Sequence, residues 1–191
     1  MRFTATPIEQ AFIVDVDAIA DSRGYFARTF CAAEFAGLGL KAEFVQSSLC
    51  YNREAGTLRG LHFQSQPQAE FKLVSCLAGS IFDVIVDLRP GSSSRGQWFG
   101  VELSAASHRS IYVPGDCAHG FITLTDDAVV SYHMNEAFVP ELARGLAWDD
   151  PALAIAWPRC PSVLSDRDAA QPSLGEVLAE VAEARRRAGL D

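Results

Sequence analysis

No stretch of this sequence is apolar for long enough to cross a bilayer, and its first ten residues, MRFTATPIEQ, lack the hydrophobic centre of a secretory leader. Positive charge is also in short supply. Sixteen Lys and Arg stand against 24 Asp and Glu, a formal net charge of −8. Nucleic acid and anionic membrane surfaces attract basic proteins, so neither is an expected partner. An anionic small molecule would have to be held by local arginines and lysines against the overall field. Cysteine is sparse and odd in number, five at positions 31, 50, 76, 117 and 160, with no C-x-x-C spacing. That pattern argues against a disulfide framework or a zinc site and for reduced thiols in a cytoplasmic protein. Nucleophile elbow, P-loop and G-x-G-x-x-G are all missing, which leaves hydrolase and nucleotide-cofactor readings without footing. No repeat or low-complexity linker interrupts the 191 residues, and a single domain over 1–191 is expected.

What is present is a series of short runs of Val, Ile, Leu and Phe: KLVSCLAG (72–79), SIFDVIVDLR (80–89), QWFGVELS (97–104), SIYVPG (110–115), HGFITLT (119–125) and AVVSYHM (128–134). They recur roughly every 10–15 residues with Gly, Pro, Ser and Asp between them, as in an antiparallel sandwich or barrel. RPGSSSRG (89–96) reads as a long polar connection and TDD (125–127) as a tight one. Helix is expected at the two ends. FCAAEFAGLGL (30–40) can hold a short helix ending at Gly37. In SLGEVLAEVAEARRRAGLD, Leu174, Val177, Leu178 and Val181 share a face, Ser173 with Glu176 fits a capping box, and three arginines precede Gly189. The expected architecture is mainly β, an eight-stranded antiparallel jelly-roll barrel with a short N-terminal helix and a C-terminal helix over 173–189. Such barrels hold a small-ligand cavity between their sheets.

The stretch TLRGLHFQSQPQAEFKLV (57–74) is unusually polar for a strand region, with Arg59, His62, Gln64, Glu70 and Lys72. Strand alternation places 58, 60, 62 and 64 on one face, so His62 and Gln64 point the same way, as do Lys72 and Val74. Buried polar groups of this kind are costly without a ligand or partner. Of the four histidines, His62 and His119 sit where strands meet loops and are the functional candidates. His108 reads as a solvated loop residue, and His133 alternates with Tyr132, so at most one of those two faces the cavity. A metal set built as H-x-H plus a later Glu and His is incomplete, because the sequence reads His62-Phe63-Gln64; Glu70 and His119 would add to one imidazole and a weak amide ligand. Acid–base chemistry remains. His62 is suited to act as a base near neutrality, Tyr132 as a proton donor, and Lys72 as the group that stabilises negative charge developing on an oxygen. Together these describe proton abstraction beside a carbonyl.

TLRGLHFQ, KLV and DVIVDLR, followed by PGDCAHGF, SYHM, WDDPALAIAWP and LSDRD, with DSRGYFARTF and Gln46 upstream, resemble the dTDP-4-dehydrorhamnose 3,5-epimerase family over roughly residues 5–172. The resemblance implies a cupin-like jelly roll and a homodimer that uses no metal and no organic cofactor. It implies a substrate that is a nucleotide-diphospho-4-keto-6-deoxysugar, epimerised at C3, C5 or both. Carried over to this chain, it makes His62 the base, Asp168 its orienting carboxylate, Lys72 the enolate stabiliser and Tyr132 the proton donor. Arg59 and His119 would contact the diphosphate or the sugar. Arg23 and Gln46 resemble binding residues supplied across the dimer, and Arg167 stands where a basic binding residue is usual.

Several positions depart from the family pattern. Gln46 is followed by Ser47 and Ser48 in place of Asp-Asn, Arg28 stands where a Glu is common, and Phe138 replaces a Tyr that stacks on the base. Ala143 replaces an acidic contact, and Asp116 occupies a turn position where Gly is common, a place Asp tolerates. The departures fall on the nucleotide side and leave the proton-transfer residues intact. Two other readings stay open on the sequence: a metal-dependent cupin enzyme, and a non-catalytic module that binds a sugar nucleotide.

Overall fold

Alternating apolar residues between Gly-, Ser- and Asp-rich turns fold as antiparallel strands in the computed structural model, which describes residues 1–190. Strands β1 (Arg2–Ala5), β2 (Phe12–Asp15), β5 (Gln46–Asn52), β7 (Lys72–Ala78), β10 (Ser110–Val113) and β12 (Ala128–Met134) form one sheet in the order β1-β2-β10-β7-β12-β5. Strands β6 (Leu58–Gln64), β8 (Ser80–Asp87), β9 (Trp98–Ser104), β11 (Cys117–Thr123) and β13 (Ala143–Gly145) form the second, in the order β13-β6-β11-β8-β9. A separate hairpin of β3 (Ala18–Asp21) and β4 (Gly24–Ala27) lies outside both. The jelly-roll barrel expected from the sequence is therefore present, with thirteen strands among the described residues where eight were expected. The additional strands are the short N-terminal ones and the three-residue β13. They are too brief to show period-2 alternation, and β3 is exposed along its whole length.

Side chains from the two sheets meet in a core that includes Val74, Cys76, Ile81, Ile85, Leu103, Ile111, Val113, Phe121 and Val130. Strand β8 is buried on both faces. Ile81 and Ile85 point into the barrel, whereas Val84 and Val86 point outward into a second cluster. That cluster is covered by α3 (Leu174–Arg187), whose Leu174, Val177 and Val181 are buried and whose capping box of Ser173 and Glu176 is formed. The helix is thus shorter at each end than the expected 173–189, with Ser173 as its cap. On the outer side of the six-stranded sheet, Phe35 of α1 (Ala32–Ala36) packs with Val14, Leu73 and Tyr112, and Gly37 caps the helix as expected. A further short helix, α2 (Asp166–Ala169), was not foreseen; Ser165 caps it by accepting the Asp168 N–H at 3.1 Å. Its importance lies in where it holds Asp168.

Strand β6 breaks simple alternation. In its pairing with β11, His62 lies opposite His119 and Arg59 opposite Phe121, so the two residues between Arg59 and His62 face the single residue Gly120. This is a β-bulge, and Gly60 sits in it at φ +143°, a conformation side chains disfavour. The expected face of 58, 60, 62 and 64 is therefore corrected. Arg59 and His62 both turn into the barrel mouth, while Leu61 and Phe63 turn outward into the cluster under α3.

Candidate active site

The bulge and the inner faces of β5, β7, β11 and β12 converge on a cleft of about 310 Å³ at the barrel mouth. Arg59, His62, Lys72, His119, Tyr132 and Asp168 line it, together with Gln46, Glu70 and Phe138. Eight of the eleven residues singled out by sequence reasoning are thus brought together.

His62 is half-buried, and its Nε2 lies 2.6 Å from Asp168 Oδ1. The carboxylate also accepts the Gly60 N–H, weakly, at 3.4 Å. The network assigns the proton to Nε2, which leaves the Nδ1 lone pair free; among the described residues Nδ1 has no hydrogen-bond partner. Burial lowers the His62 pKa below its ordinary value; Asp168 pulls it back up, and the positive charges of Lys72 and Arg167 lower it further. The imidazole is therefore neutral at pH 7 and able to take a proton.

Tyr132 and Val130 point inward from β12, and His133 points outward, where its Nδ1 meets Ser47 Oγ at 2.7 Å. The alternation expected of Tyr132 and His133 holds. Burial raises the Tyr132 phenol pKa well above its usual value, the nearby Asp83 adds to the rise, and Arg59 opposes it. The phenol stays protonated across the neutral range and can only donate. Lys72 is held at 2.9 Å from Glu70 Oε1 and donates a longer bond to the His62 carbonyl at 3.4 Å. Base, phenol and ammonium thus share one cleft.

His119 is buried, with Nε2 2.8 Å from Asp83 Oδ2 and its ring edge-on to Tyr132 at 6.1 Å between centroids. Asp83 is fully buried; desolvation raises its pKa, while His119 and Lys72 work in the other direction. Sequence reasoning missed Asp83, although a carboxylate in phase with Ile81 and Ile85 on an inward-facing strand was a usable signal. It also missed Asn52, a buried residue whose Oδ1 accepts the Arg59 Nε–H at 2.7 Å and fixes the guanidinium at the rim. Of the two lysine and arginine side chains that line the cleft, Lys72 is paired with a carboxylate and Arg59 with this neutral amide. Arg59 therefore keeps a full positive charge to offer an anion.

Gln64 does not line the cleft. Its amide donates to the Gln68 and Ala137 carbonyls at 2.8 and 3.2 Å and accepts the Val139 N–H at 2.8 Å, so it clamps the loop that carries Phe138. With Gln64 engaged there, Glu70 on Lys72 and His119 on Asp83, the donor set weighed for a metal does not assemble; among the described residues no cluster of three or more His, Cys, Asp or Glu is arranged for one. Gln46 lies in its own chain's cleft and accepts the Phe138 N–H at 3.2 Å. Phe138 is 57 % exposed, with its ring at the cleft wall.

Arg23, Arg28 and Arg167 do not line the cleft. Arg23 is at the tip of the β3–β4 hairpin, paired with Asp21 at 2.5 Å. Arg28 is exposed and reaches Glu34 at 3.4 Å. Arg167 is exposed on α2, one residue from Asp168, and acts on His62 through its charge.

Known proteins match this chain over most of its length. A family model described as dTDP-4-dehydrorhamnose 3,5-epimerase matches residues 5–176. A protein of that description from Sinorhizobium fredii (strain NBRC 101917 / NGR234) is 41 % identical over 178 residues, covering 93 % of this chain and 91 % of its own. The crystal structure of a dTDP-4-dehydrorhamnose 3,5-epimerase from Elizabethkingia anophelis superposes with a TM-score of 0.89 at 37 % identity, covering 92 % of this chain and 97 % of that one. An epimerase from Legionella pneumophila, solved in complex with dTDP-4-keto-L-rhamnose, gives a TM-score of 0.87 at 40 % identity, with 94 % and 96 % covered.

Proposed function

The chain belongs to the dTDP-4-dehydrorhamnose 3,5-epimerase family, isomerases that act on dTDP-sugars in deoxysugar biosynthesis, and from that premise we propose that it inverts C3, C5 or both of a nucleotide-diphospho-4-keto-6-deoxysugar by proton transfer through an enolate. The observation that carries this reading is the shared cleft of a carboxylate-oriented imidazole, a protonated phenol and an ammonium. The ketone at C4 acidifies the hydrogens on its two neighbours. His62 Nδ1 removes one as a proton, and the C–H electron pair moves into the ring to give an enolate oxygen. The Lys72 ammonium stabilises that oxygen. Tyr132 then delivers its phenolic proton to the same carbon from the opposite face, and the carbon is inverted. Solvent restores the neutral imidazole and phenol once product leaves. Asp168 keeps the imidazole in the tautomer that leaves Nδ1 free and stabilises the imidazolium that forms.

Arg59, held at the rim with its charge uncompensated, is assigned to the diphosphate, and His119 to the sugar or diphosphate. Phe138 offers a ring face to the base, beside Gln46. A homodimer is supported by the apolar side chains left in solvent on the β3–β4 hairpin and the outer side of the six-stranded sheet. Ile19 and Phe26 are each 74 % exposed, and Leu49, Tyr51 and Leu77 are also exposed. In such a dimer Arg23, at the hairpin tip, reaches a partner's cleft, which accounts for its distance from its own. Arg28 then lies on the same surface, and Arg167 contributes by its field. The five cysteines are free, which fits a cytoplasmic site of action, and the docking of α3 on the barrel fits one domain.

Incubation with several 4-keto sugar nucleotides in deuterated water, with and without a chelator, tests the proposal. Deuterium should enter at C3, C5 or both, at a rate the chelator leaves unchanged. No exchange with any of these substrates would refute it, and exchange lost on chelation would point to the metal-dependent alternative.

A further inference from the structure

Lys72 is the cation beside the imidazole and the phenol in the cleft, and its aim is not left to chance. A lysine side chain carries three N–H donors on a long, flexible stem and needs a partner to hold it in one direction. Here Nζ lies 2.9 Å from Glu70 Oε1 in an ion pair and donates a long hydrogen bond to the His62 carbonyl at 3.4 Å. The Lys72 and Glu70 side chains are only 9 % and 12 % exposed, and both line the cleft. The backbone under Glu70 is itself pinned. Phe71 is buried on the far side of the sheet, and its N–H donates to Asn135 Oδ1 at 2.7 Å. Lys72 then enters β7 opposite Met134 of β12, with Val74 next along the inner face. Glu70 thus has a fixed place from which to hold the ammonium by its charge inside the cleft.

We propose that Glu70 is a positioning residue that holds the Lys72 ammonium at the place of the sugar carbonyl oxygen. This rests on the reading of Lys72 as the group that stabilises the enolate. Glu70 acts through Lys72 and makes no contact with the reacting carbons.

The test uses the full chain with a 4-keto substrate on which the wild type shows deuterium wash-in. Glu70→Gln keeps an oxygen acceptor for the ammonium and should lower kcat about tenfold, whereas Glu70→Ala removes it and should lower kcat about a hundredfold. KM and the TDP dissociation constant should stay within about threefold of wild type in both, because uniform binding is untouched. Wash-in should slow in step with kcat. In a Lys72→Ala background, Glu70→Ala should have no further effect on kcat, since the group it aims is gone. Unchanged kcat in Glu70→Ala overturns the proposal. So does a rise in KM with kcat preserved, which would make Glu70 a direct sugar contact, and so does a fall of equal size with Lys72 absent. Should Glu70→Ala fail to fold, the Gln variant, alone and with Lys72→Ala, decides by the same comparison. Absence of wash-in by the wild type on every substrate would fault the epimerase reading and not the role of Glu70.

Discussion

A β-carbon on Gly60 would stand 2.6 Å from the Cα of Gly120, closer than two carbon atoms can pack. The reverse holds too. A β-carbon on Gly120 would lie 2.7 Å from the Arg59 carbonyl oxygen and 2.8 Å from the Gly60 Cα. The glycines of RGLH and AHGF thus answer each other across the β6–β11 pair, and their contact is what turns Arg59 and His62 into one cleft. Gly120→Ala should separate the strands and cost about 1–3 kcal/mol of stability, as overpacking does. Urea unfolding followed by circular dichroism should show a lower midpoint, with activity falling more than the loss of folded protein explains. An unchanged midpoint would mean the strands part freely.

His62→Ala should lower turnover by about 10²–10⁴ or more, the usual range for losing a general base. The fold should survive, because the ring is half-buried and lines an open cleft. Solvent exchange at C3 and C5 by mass spectrometry is the measure; near-normal exchange would remove His62 from its assigned role.

Tyr132→Phe should separate two observables. Abstraction by His62 does not need the phenol, so deuterium wash-in should continue while inversion slows. Equal loss of both would assign Tyr132 to binding or abstraction.

The acid limb of kcat/KM should lie below pH 6.5, because burial shifts His62 downward from that value and only the unprotonated ring can accept a proton. Activity is therefore retained as pH falls through 6.5 and is lost only below it. Arg167→Gln removes one of the positive charges that depress His62, so the limb should move to higher pH. A limb that stays put in this variant would show that the Arg167 charge does not reach the base.

Phe138→Ala should weaken TDP binding by about 1–3 kcal/mol if the ring stacks on the base. Titration calorimetry with TDP, UDP, CDP and GDP would read both the loss and the order of preference. The Arg28 charge is engaged by Glu34 at 3.4 Å, so Arg28→Glu should leave that order unchanged unless a partner subunit brings Arg28 to the base.

Most of the site was legible because it lies on regular strands. Lys72 with Val74, and Tyr132 against His133, fall on the faces that strict alternation assigns them. Residues 58–64 were not, since a bulge shifts the phase by one and no side chain announces it; only the glycine itself does. Gln64 looked like a ligand because its local pattern matches a donor position, whereas its amide partners come from residues 68 and 137 to 139, which spacing cannot place. The hairpin of β3 and β4 escaped notice because its strands are short and pair with neither sheet, and Ile19 and Phe26 face solvent.

Asp168 reaches His62 from 106 residues further along the chain, on a segment whose approach to the barrel is marked by a parallel bridge from Val163 to Thr57. All thirteen strands among the described residues end by Gly145, so the strands that wall the cleft and the carboxylate that meets His62 belong to separate stretches of chain. A change that loosens α2 should thus leave the strand pairing of the barrel intact while freeing the His62 ring to turn.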